Sequence, residues 1–120
     1  MSNARDISGM TEPQVVKAWV NFNGRTASSP FTDANGGIRN SFNVSSVTDN
    51  GVGIYTVNLE NALEDSNYCI TGSAGDAVIT YGDRQISAYP LTSSTCRVVT
   101  GQTASANTYD STHCNIAIHR

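Results

Sequence analysis

From Val15 to Phe22 the residues Val16, Ala18, Val20 and Phe22 alternate with Val15, Lys17, Trp19 and Asn21. A period of two with an apolar face predicts a strand. Ile38 to Thr48 resumes the alternation through Ile38, Asn40, Phe42 and Val44, then slips phase at Ser45-Ser46-Val47, where a bulge is expected. Asp49-Asn50-Gly51-Val52-Gly53 is rich in residues that accept positive φ, and Ile54 to Leu59 alternates again, so the two runs predict a β-hairpin. Further strands are expected at Tyr68 to Gly72, Ala77 to Tyr81, Ile86 to Tyr89, Cys96 to Thr100 and Cys114 to His119, each bounded by Gly, Asp, Ser or Pro. About eight strands at this spacing predict an all-β, antiparallel sandwich.

Two stretches lack the alternation. Asn23 to Gly37 and Gly101 to His113 are long Ser, Thr, Asn and Gly segments that carry Phe31 and Tyr109, and long ordered loops are usually functional. Glu60 to Asp65 has room for one helical turn at most. Thr92 to Thr95 is a short polar turn. Val15, Trp19, Ile54 and Val78 put apolar groups on the second face of their strands, so a second layer or another subunit must cover them. A homotrimer is expected, with Trp19 and the Ile116/Ile118 strand in its core or interface.

The chain has 120 residues, enough for one domain. Met1-Ser2-Asn3-Ala4 reads as an expression remnant, which leaves residues 1–14 outside the patterned domain at 15–120. Ser, Thr and Asn make 39 of the 120 residues and only 14% are charged, a polarity that favours strands and turns over helices. A net charge of −3 offers no positive field for phosphate backbones, so nucleic acid is not an expected partner. No apolar run approaches the roughly 18 residues of a membrane helix, and no membrane insertion is expected. Cys69, Cys96 and Cys114 lack paired spacing and read as reduced thiols.

Val16-Lys17-Ala18-Trp19-Val20-Asn21-Phe22-Asn23-Gly24, the run from Ile38-Arg39-Asn40-Ser41-Phe42-Asn43-Val44 through Asp49-Asn50-Gly51 to Asn58, and Asp65-Ser66-Asn67-Tyr68 together resemble a C-terminal module of bacteriophage and prophage tail fibres. The similarity is close over the first half of the patterned chain and looser at Asn115-Ile116-Ala117-Ile118. It implies an all-β knob, assembled as a homotrimer at the distal end of a virion's tail fibre and made in the host cytoplasm. Its implied role is attachment to the host cell surface, and residues 1–14 would include a linker on the shaft side. Arg25 to Gly37 is an insertion relative to that module, and Val52 and Ile54 stand where it has polar residues.

No catalytic motif is present: there is no Gly-x-Ser-x-Gly and no glycine-rich phosphate loop. Asp76, Asp83, Glu60, Glu64 and Asp65 could serve a glycosidase, but they sit in predicted turns. His113 and His119 lie six residues apart, about 20 Å along one strand, too far to share an ion. Neither a metal nor another cofactor is expected. If every strand runs up and down from a shaft at Val15, both long loops reach the distal end, with Asn61 to Ser66 and Gly82 to Gln85. Asp49 to Gly53, Ser73 to Asp76 and Thr92 to Thr95 then fall at the proximal end. Arg25, Phe31, Asn35, Asp83, Arg84, Asn107, Tyr109 and Asp110 are therefore expected to contact the host receptor, a surface polysaccharide held by hydrogen bonds and an aromatic platform.

Overall fold

A computed structural model describes residues 16–77, 84–102 and 107–120, and within them every regular element is a strand. These are β1 (Val16–Phe22), β2 (Ile38–Phe42), β3 (Val44–Gly51), β4 (Ile54–Leu59), β5 (Cys69–Gly75), β6 (Arg84–Pro90), β7 (Thr95–Gln102) and β8 (His113–His119). They form two antiparallel sheets, ordered β2-β1-β8-β5 and β3-β4-β7-β6. The expected sandwich is the observed architecture. Glu60 to Asp65 contains no helical turn and is a bend instead. The strand expected at Ala77 to Tyr81 lies outside the described residues, apart from Ala77 in a turn.

Alternation sets the core. Ala18, Val20 and Phe22 of β1, Tyr55, Val57 and Leu59 of β4, Cys96 and Val98 of β7, and Cys114, Ile116 and Ile118 of β8 meet between the sheets. Each large apolar side chain buried there contributes about 1.5–3 kcal/mol before ordering costs. The bulge expected at Ser45 is present, since β3 shifts register against β4 between Val44 and Ser46.

Ile38 to Thr48 is two strands, in different sheets. β2 shifts register against β1, so Ile38 lies opposite Phe22 while Asn40 lies opposite Asn21. Ile38 therefore points inward and Phe42 outward, where unbroken alternation would put both on one face. At Asn43 the backbone adopts φ 59°, and the chain reverses into the second sheet. The Asn43 side chain holds this corner: its Nδ2 donates to the carbonyls of Lys17 and Asn61, and its Oδ1 accepts from the Asn61 amide.

All eight strands alternate in direction, which fixes the two ends of the sandwich. At the near end lie the start of β1, Asn43, the segment from Glu60 to Tyr68, the β6–β7 turn and Arg120, which pairs with Asp65. At the far end lie the long β1–β2 and β7–β8 connections, the β3–β4 turn, the end of β5 and the start of β6.

Candidate functional site

The two long loops meet at the far end. The Gly24 amide donates to the Ser111 carbonyl at 2.9 Å. Tyr55 donates its hydroxyl to Asp110 Oδ1 at 2.7 Å, with the Gly24 carbonyl sharing it at 3.2 Å, so one core residue pins both loops. The same Asp110 oxygen accepts the Gly53 amide at 2.8 Å, which brings the β3–β4 turn into the cluster. Gly24 and Gly53 allow this closeness: a Cβ on Gly24 would lie 2.3 Å from the Tyr55 hydroxyl, and one on Gly53 2.5 Å from the Thr100 carbonyl. Gly53 also needs its φ of 69°. Burial first, and the bond to Asp110 second, push the Tyr55 hydroxyl far above its ordinary range.

Asp76 stands at the centre of the charged part. Its side chain is fully buried, with Arg25 Nη2 at 2.6 Å and Arg84 Nη2 at 3.5 Å. The bond to Asp76 raises the pKa of Arg25 despite its exposure. Arg84 lies over the Tyr109 ring, 5.1 Å from its centroid, a cation–π contact, and Tyr109 remains 36% exposed. Arg25, Asp76, Arg84 and Tyr109 thus form one chain of contacts across the end of the sandwich.

Of the expected receptor residues, Arg25, Arg84 and Tyr109 come together in that chain. Asn107 is exposed on the same loop as Tyr109, its carbonyl accepting from the Gln102 amide. Asp110 is half-buried, and one of its oxygens already accepts from Tyr55 and Gly53. Asn35 is committed to its own loop: Oδ1 accepts from the Thr32 and Gly37 amides, and Nδ2 donates to the Pro30 carbonyl. Asp83 lies outside the described residues. Phe31 is a correction. It is fully buried, its ring tilted against those of Phe22 and Tyr55 at 6.1 and 5.9 Å, and it is paired to Val47 through the backbone, so it anchors the β1–β2 loop to the core.

No protein-family model, curated protein or solved structure matches the chain. The site is therefore read from its own geometry. Val52, which the strand alternation does not mark, is 58% exposed at the tip of the β3–β4 turn. Asp76 was discounted as turn chemistry, and nothing local in Gly75-Asp76-Ala77 signals the two arginines that reach it from 51 residues upstream and from β6. The other carboxylates named above sit elsewhere: Glu64 and Asp65 both pair with Arg120 at the near end, and Arg120 holds Asp65 below its ordinary pKa. His113 and His119 stand at opposite ends of β8, beside Thr112 and Thr71.

Three connections lie at the opposite end from the one expected. Asp49 to Gly53 and Ser73 to Asp76 lie at the far end, and Asn61 to Ser66 lies at the near end. The reversal at Asn43 adds a pass between Ile38 and Thr48. Gly75, which ends β5, and Arg84, which begins β6, lie at the same end. The two differences cancel by β6, and both long loops end up together opposite the start of β1.

Proposed function

We propose that this domain is the receptor-binding tip of a bacteriophage tail fibre, attaching to a host-surface glycan with its loop-bearing end. The observation that supports it is the joining of both long loops at the end away from the start of β1, around the Arg25–Asp76–Arg84–Tyr109 chain. The far end carries a partly exposed aromatic ring braced by Arg84, beside Arg25, whose side chain is 41% exposed. That combination suits a sugar ring with polar substituents. The resemblance to tail-fibre modules supplies the biological setting.

The reading includes a homotrimer. Trp19 and Phe42, directly opposite each other on β1 and β2, are 36% and 53% exposed on the outer face of the first sheet. Across the same face, Thr71, Gly72, Ser73, Asn115, Ile116 and Ala117 line a shallow hollow of about 350 Å³. A protrusion on one side of a face and a hollow on the other favour head-to-tail contacts, which close into rings.

The test is competition. The isolated domain should block adsorption of a phage bearing this fibre, and Tyr109→Ala with Arg25→Ala should abolish the block while light scattering still gives a trimer. The second reading, a trimerisation module with no ligand, is favoured by the Trp19–Phe42 face and predicts a trimer that never competes.

A further inference from the structure

The second sheet carries, on its outer face, an arginine with no counterion among the described residues. Every other described arginine is engaged: Arg25 and Arg84 with Asp76, Arg120 with Asp65 and Glu64, and Arg39 with the Thr112 carbonyl and Asn21. Arg97 of β7 has no ion pair or side-chain hydrogen bond among the described residues, and its Nε is buried with no acceptor. A bound anion would meet the guanidinium at its Nη groups, beyond the covered Nε.

Its surroundings are defined by register. Thr48, Thr56, Arg97 and Tyr89 lie in one line across β3, β4, β7 and β6. The next lines hold Ile54, Val99 and Ser87 on one side, and Asn58 and Thr95 on the other. No carboxylate stands among these neighbours. Tyr89, beside Arg97, is 49% exposed. Arg97 is thus a lone positive charge in a neutral, hydroxyl-rich field, on a protein of net charge −3.

We propose that this face binds an acidic saccharide, with the Arg97 guanidinium taking the carboxylate or phosphate and Tyr89 packing against the sugar ring. Guanidinium is the side chain that meets either anion with two parallel N–H donors. An exposed aromatic two strand-spacings or less from it supplies the apolar contact a pyranose face requires. The site is separate from the loop-bearing end and stands or falls independently of it.

Titration calorimetry on the full chain would use trigalacturonate, a phosphorylated maltotriose and neutral maltotriose. At least one acidic probe should bind and maltotriose should not; which acidic probe binds tells carboxylate from phosphate. Arg97→Gln should weaken that binding at least tenfold, and Arg97→Lys should restore part of it. Binding should also weaken as salt is raised. Failure of both acidic probes, equal binding of maltotriose, or full affinity in Arg97→Gln would overturn the proposal. So would a drop in oligomeric mass in Arg97→Gln, which would make this face an interface between copies instead.

Discussion

Tyr55 shows how one side chain joins core to site. Its ring packs edge-on against Phe22 at 5.1 Å, while its hydroxyl reaches Asp110 and Gly24. Tyr55→Phe keeps the ring and removes the donor, so a loss of about 1–2 kcal/mol is expected from denaturant unfolding, with faster amide exchange at Gly24 and Gly53. The thiols give a second residue-scale prediction. Cys96 and Cys114 are buried and Cys69 exposed, so one thiol per chain should react with a thiol reagent in the native protein and three after unfolding without reductant. Burial also pushes Cys96 and Cys114 up to about 12 from an ordinary value of 9.0. A raised folded pKa means the stabilisation is complete below pH 9 and is lost as pH rises toward 12, because only the unfolded chain releases these protons there. Each thiol should remove about 1.4 kcal/mol per pH unit in that window. Tyr68, raised to about 12 by burial, adds to the same loss above pH 10. The melting temperature should fall steeply between pH 9 and 11, and a flat profile would contradict the buried placement.

At the scale of elements, alternation was legible wherever one face meets the core without interruption. β1, β4, β7 and β8 follow it, and their inward residues are those the period marks. It failed between Ile38 and Thr48 for a local reason. The irregularity near Arg39 and the reversal at Asn43 each shift the phase, so Ile38 and Val44 stay inward while the strand between them belongs to another register. A single Asn in a polar run carries that corner, and its αL backbone costs a non-glycine residue about 1 kcal/mol, offset by the three hydrogen bonds of its amide. The two contributions can be separated. Asn43→Gly keeps the backbone freedom and loses the bonds; Asn43→Ala loses both and should be the less stable by about 1 kcal/mol in urea unfolding. The reverse order would mean that the left-handed backbone at Asn43 does not limit the stability of the corner. Phe31 was illegible for a different reason: an aromatic within a polar loop has the same sequence signature whether it faces solvent or, as here, pairs with Val47 and fills the core.

For the whole molecule, the distribution of exposed apolar groups decides how copies would meet. The interior accounts for Ile116 and Ile118, so the strand that bears them is core in a single chain, whereas Trp19 is outside it. Trp19 and Phe42 stand as a cross-strand pair, where aromatic pairs strengthen a sheet by about 0.2–1 kcal/mol, a gain too small to explain leaving both in water. The hollow over β5 and β8 lies on the same sheet, and Ala117, opposite Trp19 on β8, keeps the surface between them low. If the protrusion of one copy enters the hollow of the next, three copies share three equivalent contacts and no pair is left open. Trp19→Ser with Phe42→Ser should then convert a trimer of about three times 12.7 kDa into a monomer at micromolar concentration, with the β-sheet circular dichroism unchanged because neither ring contributes to the core. Gly72→Ala would probe the other partner, but its Cβ would fall 2.7 Å from the Asn115 carbonyl and strain the sheet itself. Ala117→Arg is the cleaner change: it points to the outer face, blocks the approach between protrusion and hollow, and should give the same monomer. A natural protein already monomeric at that concentration, or a double serine variant still trimeric, would remove this face from the assembly.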